Sequence, residues 1–594
     1  MGVCRVSAWN SPKGLVQLNR RLTISGLQAI RSARKVWLER LCRDRNDRRA
    51  PFIASKGNRM QQGTTLTVRN GTLAALRGSI AAMAMAATVI CTGTAAMAQN
   101  LVIAGVSAPT SLDPDVWTPG TIETMVNVYE GLVQYGYTDG PDGERIINPT
   151  DIQPLLAESW TSNEDKTEYV FKLRPDVASP YGNTLRAQDV VWSWNLAAER
   201  KQTGGFLRRT AAVTNVEAID DSHVKFTLSA PRRMFLQILA LYTPHIIDTT
   251  EALKHATAED PNALAWLKQN TAGFGAYHLT QLRPGEAAMF EVNPNYPFEK
   301  PYYKRVMYRE VPAPANRVAL LQGGDVAIAE EVPLDQIVNL IDDKRTKVTS
   351  VPGTASASLR INVTKPPFDN KLVRQAVAWA LDYDALNQNV FRGKGVRARS
   401  ILAPANTGYV EAYQYDHDPE KAKALLAEAG FKDGVDITLE YAAAWWWEEA
   451  LAIQIADQLQ KSSFRVDLKK LPNAEMAARR NATERTSPFF LHSANAFALD
   501  PTYSFSLQVY SSGVGNNTGY EKPEFDTLVD EALVEKDDAK WLDLVAQAQQ
   551  MVADDAPVIP TYYPGTWFVS APCIKGNLWQ PHNRVMWRYL SCAE

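Results

Sequence analysis

Cysteine and histidine are scarce in this chain, five and seven among 594 residues. The histidines, at positions 223, 245, 255, 278, 417, 492 and 582, show no ligand-like spacing, so neither a metal centre nor a cofactor is expected. Enzyme signatures are missing as well. There is no Gly-x-Ser-x-Gly elbow, no His-Glu-x-x-His and no phosphate loop, and Gly513-Val514-Gly515 runs into Asn516 rather than a helix start. A secreted hydrolase is left as a minor alternative, and the chain is expected not to be an enzyme.

Positive charge is short too, once the chain is divided. Residues 1–98 hold 16 of the 63 Lys+Arg and 3 of the 65 Asp+Glu, leaving 47 basic against 62 acidic residues, a net charge of about −15. An acidic surface gives nucleic acid and anionic membranes little to hold, so neither is expected as a partner.

One long apolar run exists, Gly78–Ala98, preceded by Arg69 and Arg77 and closed by Ala96-Met97-Ala98. A basic flank, an apolar core and small residues at −3 and −1 make residues 69–98 an export signal, with cleavage expected after Ala98 and a periplasmic mature chain. A membrane anchor is the alternative reading, disfavoured because the run is mostly Ala, Thr, Met and Gly. The basic stretch before it, Met1–Leu76, does not read as a folded module; it is a long pre-sequence, or translation starts at Met60. Only Cys573 and Cys592 follow the signal, and in an oxidising compartment they are expected to form one disulfide worth ~3 kcal/mol, two free thiols being the alternative.

The remainder alternates strands with amphipathic helices, an α/β pattern with mixed sheets. Val170–Leu173, Val224–Leu228, Val435–Tyr441 and Phe464–Leu468 read as strands. Asp418-Pro419-Glu420 opens a helix that Gly430 ends, with Ala422, Leu425, Leu426 and Ala429 as its apolar stripe. Lys371–Leu381 and the run Phe525, Leu528, Val529, Ala532, Leu533 make two more such stripes. Nearly 500 residues exceed what one core holds, so two or more domains are expected.

Motifs then follow in a characteristic order. They include Leu112-Asp113-Pro114, Pro154-Leu155-Leu156-Ala157-Glu158-Ser159-Trp160, Gly273-Phe274-Gly275-Ala276-Tyr277, Asn293-Pro294-Asn295-Tyr296 and Asn517-Thr518-Gly519-Tyr520. The most diagnostic is Pro367-Phe368-Asp369-Asn370-Lys371-Leu372-Val373-Arg374-Gln375-Ala376. In these the chain resembles the peptide/nickel (oligopeptide/dipeptide) family of extracytoplasmic solute-binding proteins of ABC transporters, over nearly all of residues 100–570. The resemblance implies a two-lobe periplasmic binding protein fold with the ligand cleft between the lobes. Lobe I would be 99–358 plus 562–594, with an inserted subdomain at about 137–280, and lobe II 359–561. It also implies a monomer that takes a small-molecule or short-peptide ligand by hinge closure and delivers it to an ABC permease and its ATPase.

Relatives that hold dipeptides carry an aspartate three residues before the Asp-Pro pair, for the peptide's amino group, and a tryptophan just upstream. Here those places fall on Phe497 and Ala494, so the ammonium anchor is absent and Asn495, Phe497 and Asp500 are weaker contacts to propose. Three consecutive tryptophans, Trp445-Trp446-Trp447, stand between the strand ending at Tyr441 and a helix from Glu448, where open α/β domains receive ligands. Three neighbours cannot all point inward, so at least one is expected to face the cleft or a subdomain contact, packing within the lobe being the alternative. Trp117, Thr118, Gly120 and Thr121, after the first strand, are the matching candidates on lobe I, with a helix cap at Thr121 as the plain alternative. A peptide or peptide-like solute is the expected cargo; an oligosaccharide or an opine is the alternative.

Overall fold

The computed structural model describes residues 100–116, 120–200, 202–241, 245–351, 353–481, 487–494 and 498–592. The expected leader and signal lie outside the described residues, as do Trp117, Thr118, Asn495 and Phe497. Among the described residues no helix is long and apolar enough to cross a membrane.

Two mixed sheets organise the chain. The larger has seven strands in the order Lys347–Val351, Thr566–Ser570, Ile328–Ala329, Asn100–Gly105, Arg305–Glu310, Ala287–Val292 and Tyr277–Arg283. The second has six, in the order Val396–Arg397, Val558–Tyr563, Ser356–Ile361, Phe489–Ala494, Val435–Tyr441 and Phe464–Lys470. A separate four-stranded antiparallel sheet, from Ala157–Ser162 to His223–Leu228, carries the helices Ala187–Arg200 and Thr203–Thr210.

The expected elements are present with small shifts at their ends. The capped helix runs Pro419–Glu428, with the Asp418 side chain accepting from the Lys421 amide; Ala422 and Leu426 are fully buried, while Leu425 and Ala429 pack at the margin of the same core. Strand Phe464–Lys470 extends two residues past its apolar alternation, because it lies in parallel register against Val435–Tyr441 along its whole length. Strand residues Leu359, Leu439 and Ile559 pack with helix residues Val377, Leu451 and Ile455 in one buried core.

The chain passes between the two sheets at two adjacent places. Lys347–Val351 belongs to the seven-stranded sheet, and after residues 352–355 the chain enters the six-stranded sheet as Ser356–Ile361. It returns through residues 564–565, from Val558–Tyr563 to Thr566–Ser570. The outgoing and returning strands are hydrogen-bonded neighbours in both sheets, Val351 opposite Thr566 in one and Ala357 opposite Tyr562 in the other. Gly565 takes a φ of 86°, which suits the turn to glycine. Further contact comes from the segment around Ala498 and Tyr503, which packs into the core of the four-stranded sheet.

Near the C-terminus Cys573 and Cys592 are joined by a disulfide across the small ladder of Ile574–Lys575 and Ser591–Cys592. It closes residues 573–592 onto the seven-stranded sheet's core, where Trp587 is fully buried.

Candidate ligand-binding site

Strand direction decides which edge of each sheet can receive a ligand. Asn100–Gly105, Arg305–Glu310 and Ile328–Ala329 run parallel, and their carboxyl ends lie at the edge where Val351 and Thr566 meet the crossings. In the six-stranded sheet Val435–Tyr441, Phe464–Lys470 and Phe489–Ala494 also run parallel, and their carboxyl ends share an edge with Ser356 and Tyr563, again at the crossings. Carboxyl edges of two α/β sheets therefore lie on either side of one pair of crossings, which is the arrangement of a ligand cleft. The segments 106–116 and 442–447 leave from those edges.

On the second sheet the tryptophans separate. Trp445 and Trp446 are 39% and 45% exposed, whereas Trp447 is 3% exposed and belongs to the core. Trp447 sits immediately before helix Glu448–Lys461, so its side chain turns inward as the helix begins; it is corrected from a ligand contact to a core residue. Trp445 stacks on it, rings 5.6 Å apart and 5° from parallel, and its edge approaches His492 at 6.2 Å. Trp446 meets the buried Phe391 edge-on at 6.0 Å. Glu448 pins the loop: buried, it accepts from the amides of Ala442 at 2.9 Å, Ala444 at 2.7 Å and Trp445 at 3.4 Å. That carboxylate also stands in the first turn of its helix, where the dipole favours it. An exposed aromatic pair on a rigidly held loop offers a flat surface to an apolar or ring-bearing solute.

Asp500 is not at the surface. It is 3% exposed and caps helix Pro501–Gln508, its Oδ1 accepting from the Thr502 amide at 2.8 Å and from the Thr502 hydroxyl, so it is corrected from a contact to a cap. Burial pushes its carboxyl above the usual range.

On the first sheet Gly120 precedes helix Thr121–Val128 with a φ of 77°, and its backbone lies against Ser107 with no room for a Cβ. Thr121 does not cap the helix; it is the first helical residue, and its hydroxyl donates to the Ser111 carbonyl at 2.6 Å. Both residues lie against residues 107–111, so they position that stretch rather than present a polar group to the cleft.

The same edge carries a group that pattern reading missed. Glu330 follows strand Ile328–Ala329, and the Tyr308 hydroxyl donates to its Oε2 at 2.5 Å. Gly105, on the neighbouring strand, leaves the space that the Tyr308 phenol occupies. Burial, with the Glu123 carboxylate beside it, pushes Glu330 up to about 8. The folded chain then holds a proton that the unfolded chain releases from 4.5 upward, so folding stability falls as pH rises from about 4.5 to about 8. Glu330→Gln, fixed in the neutral form, is expected to raise the melting temperature at pH 8 relative to the parent and to change it little at pH 4. Equal differences at the two pH values in a thermal melt would show that Glu330 is not held protonated.

A small pocket of about 40 Å³ lies apart from these edges, between strand Val133–Asp139 and the C-terminal segment. Its charged lining, Glu130 and Arg588, is joined in a buried ion pair with Tyr296 donating to Glu130 at 3.0 Å, so no free charge faces it. Among the described residues no cluster of three His, Cys, Asp or Glu is placed to hold a metal ion.

A chain folded as two α/β bodies, crossed twice and presenting its strand ends to a shared cleft, belongs to the class of solute-binding proteins. The family is that of bacterial extracellular solute-binding proteins, family 5: its model matches residues 151–516, and this chain is a member. It is 31% identical over 500 residues to the probable D,D-dipeptide-binding periplasmic protein DdpA of Escherichia coli, an alignment covering 82% of this chain and 93% of that protein. Among solved structures it is similar in fold to DppA of Helicobacter pylori in complex with the peptide STSA, at a TM-score of 0.69 and 24% identity over 83% of this chain and 98% of the other. It is also similar to the dipeptide-binding protein of Pseudoalteromonas sp. SM9913 in complex with Met-Leu, at a TM-score of 0.70 and 22% identity over 83% and 100%.

Proposed function

We propose that this protein captures a short peptide between two lobes and hands it to the permease and ATPase of an ABC importer. Membership of the solute-binding family places it as the periplasmic substrate-binding protein of such an importer. The observation that carries the mechanism is the pair of crossings: two adjacent strand connections are all that joins the sheets by main chain, so the bodies can rotate about residues 353–355 and 564–565. We place the lobe boundaries there, a few residues from 358/359 and 561/562, because Ser356–Ile361 and Val558–Tyr563 are wholly strands of the six-stranded sheet. A ligand touching both edges stabilises the closed form in proportion to its preference for it. The inserted subdomain corresponds to the four-stranded sheet and its helices.

Peptide as cargo is supported by the names of the relatives, and by exposed Trp445 and Trp446 on the cleft edge, which suit apolar side chains. Further parts of the same reading are cleavage after Ala98, a monomer, no nucleic-acid partner and no catalysis. The test is a thermal-shift and calorimetric screen of the mature protein against Met-Leu, D-Ala-D-Ala, longer peptides, an opine and oligosaccharides. At least one peptide is expected to raise the melting temperature by several degrees at ligand excess. A shift with an oligosaccharide or an opine and none with peptides would overturn the cargo assignment.

A further inference from the structure

Arg360 is a buried cation without an anion among the described residues. It stands on strand Ser356–Ile361, whose Ala357, Leu359 and Ile361 enter the core while Ser356, Ser358 and Arg360 line the other face. The residue is 1% exposed, and its guanidinium makes a single hydrogen bond, Nη2 to Gln508 Oε1 at 2.7 Å. Among the described residues Nε and Nη1 have no partner. Burial brings it down to about 10, which leaves it charged at neutral pH.

The described charged groups around it do not neutralise it. Arg480 is a second cation; its Nη1 lies 3.0 Å from His492 Nδ1. Burial, then Arg360 and Arg480, hold the His492 ring neutral, well below the usual range, so with Nδ1 accepting from Arg480 the ring proton sits on Nε2 as a further donor. The carboxylates nearby are engaged elsewhere, Glu448 on the tryptophan-loop amides and Glu440 with Ser487 at 2.6 Å and Arg479 at 3.0 Å. A guanidinium withdrawn from water without a counter-charge is strongly unfavourable, and its unused planar N–H fork matches a carboxylate.

Register carries this face to the cleft. Arg360 pairs with Phe490, Ser358 with His492 and Ser356 with Ala494, so the row rises from Arg360 to the edge from which segment 442–447 leaves, and Trp445 borders His492 at 6.2 Å. We propose that Arg360, with Arg480 and His492 beside it, is the seat of a carboxylate of the solute, which lies with its body against Trp445. This rests on the reading of the chain as a solute receptor and adds to it the charge that the solute must carry. For a peptide the carboxylate is the C-terminal group.

Acetate separates the two ideas. In the mature protein, acetate titrated at constant ionic strength against chloride is expected to raise the melting temperature, and Arg360→Met to abolish the rise. Arg360→Lys keeps the charge without the fork and is expected to weaken the response at least ~threefold. With Met-Leu and its C-terminal amide, the parent is expected to prefer the free carboxylate by at least ~tenfold and the Met variant by about nothing. No acetate response in the parent, or an undiminished one in Arg360→Met or, should that variant not fold, in Arg360→Lys, would overturn the seat. An acetate response lost in the variant, with no binding of either peptide, would uphold the seat and overturn the peptide reading alone.

Discussion

Arg374→Leu is expected to lower stability by about 3–5 kcal/mol, the cost of breaking a buried charged network by removing one member. Arg374 lies within the motif that runs from Pro367 to Ala376, and its side chain explains why that motif has the form it has. Asn370 caps helix Lys371–Ala380 by accepting from the Leu372 amide, which starts the helix one turn before Arg374. Phe368 is fully buried against Phe489, so the segment before the helix is held to the sheet. From that helix Arg374 reaches back with Nη1 to the carbonyl of Phe368 at 2.8 Å and across with Nε to the carbonyl of Asp555 at 2.7 Å. Asp555, at the end of helix Asp538–Asp555, in turn accepts from Tyr520 at 2.8 Å and Lys522 at 2.5 Å and pairs with Lys371 at 3.1 Å. One guanidinium thus fastens its own helix and the segment just before it to the end of a helix 181 residues away. Leucine fills part of the volume but leaves those carbonyls without donors, and each unsatisfied buried group costs about 1–3 kcal/mol. Urea unfolding followed by far-UV circular dichroism reads the effect as a lower midpoint with an unchanged slope. A midpoint within about 0.5 kcal/mol of the parent would show that water or other donors replace the arginine.

The architecture was legible because local signals agreed with one another. Asp418-Pro419 and Asn370 announce helix starts that the structure keeps, and Val435–Tyr441 has the composition of a central strand and is one. Sheet order was not legible, since nothing local says that Phe489–Ala494 lies between Ser356–Ile361 and Val435–Tyr441. Strand Ser356–Ile361 itself was overlooked although Ser356-Ala357-Ser358-Leu359-Arg360-Ile361 alternates polar and apolar residues, and that period of two was the one signal pointing to Arg360. Its burial depends on which elements cover the polar face, a tertiary fact. Glu330 left no pattern at all, because its environment is made by Tyr308, Glu123 and Gly105 from three other elements. Asp500 shows the reverse case: an Asp-Pro pair is a strong helix-start signal, and the cap is what the residue does.

The three tryptophans give the sharpest contrast, because adjacent residues of one type are expected to fail in opposite ways. Trp447→Ala removes a side chain that is 3% exposed and packs in the core with Leu451 and Ile455, a truncation that costs about 3–5 kcal/mol. Binding by the fraction that remains folded should then change mainly because Trp445 loses the ring on which it stacks. Trp445→Ala leaves the core intact, so its stability should fall by no more than about 1 kcal/mol, while solute affinity should weaken at least ~tenfold through loss of a rigid aromatic contact. Trp446 touches the fold through Phe391 and should lie between the two. Measured together, thermal melts and calorimetric titrations with a bound peptide place each variant on two axes. The expected pattern is a stability defect for Trp447 and an affinity defect for Trp445. An affinity loss confined to Trp447, with Trp445→Ala binding as the parent does, would mean that the exposed ring faces solvent and that the solute is gripped from the other edge of the cleft.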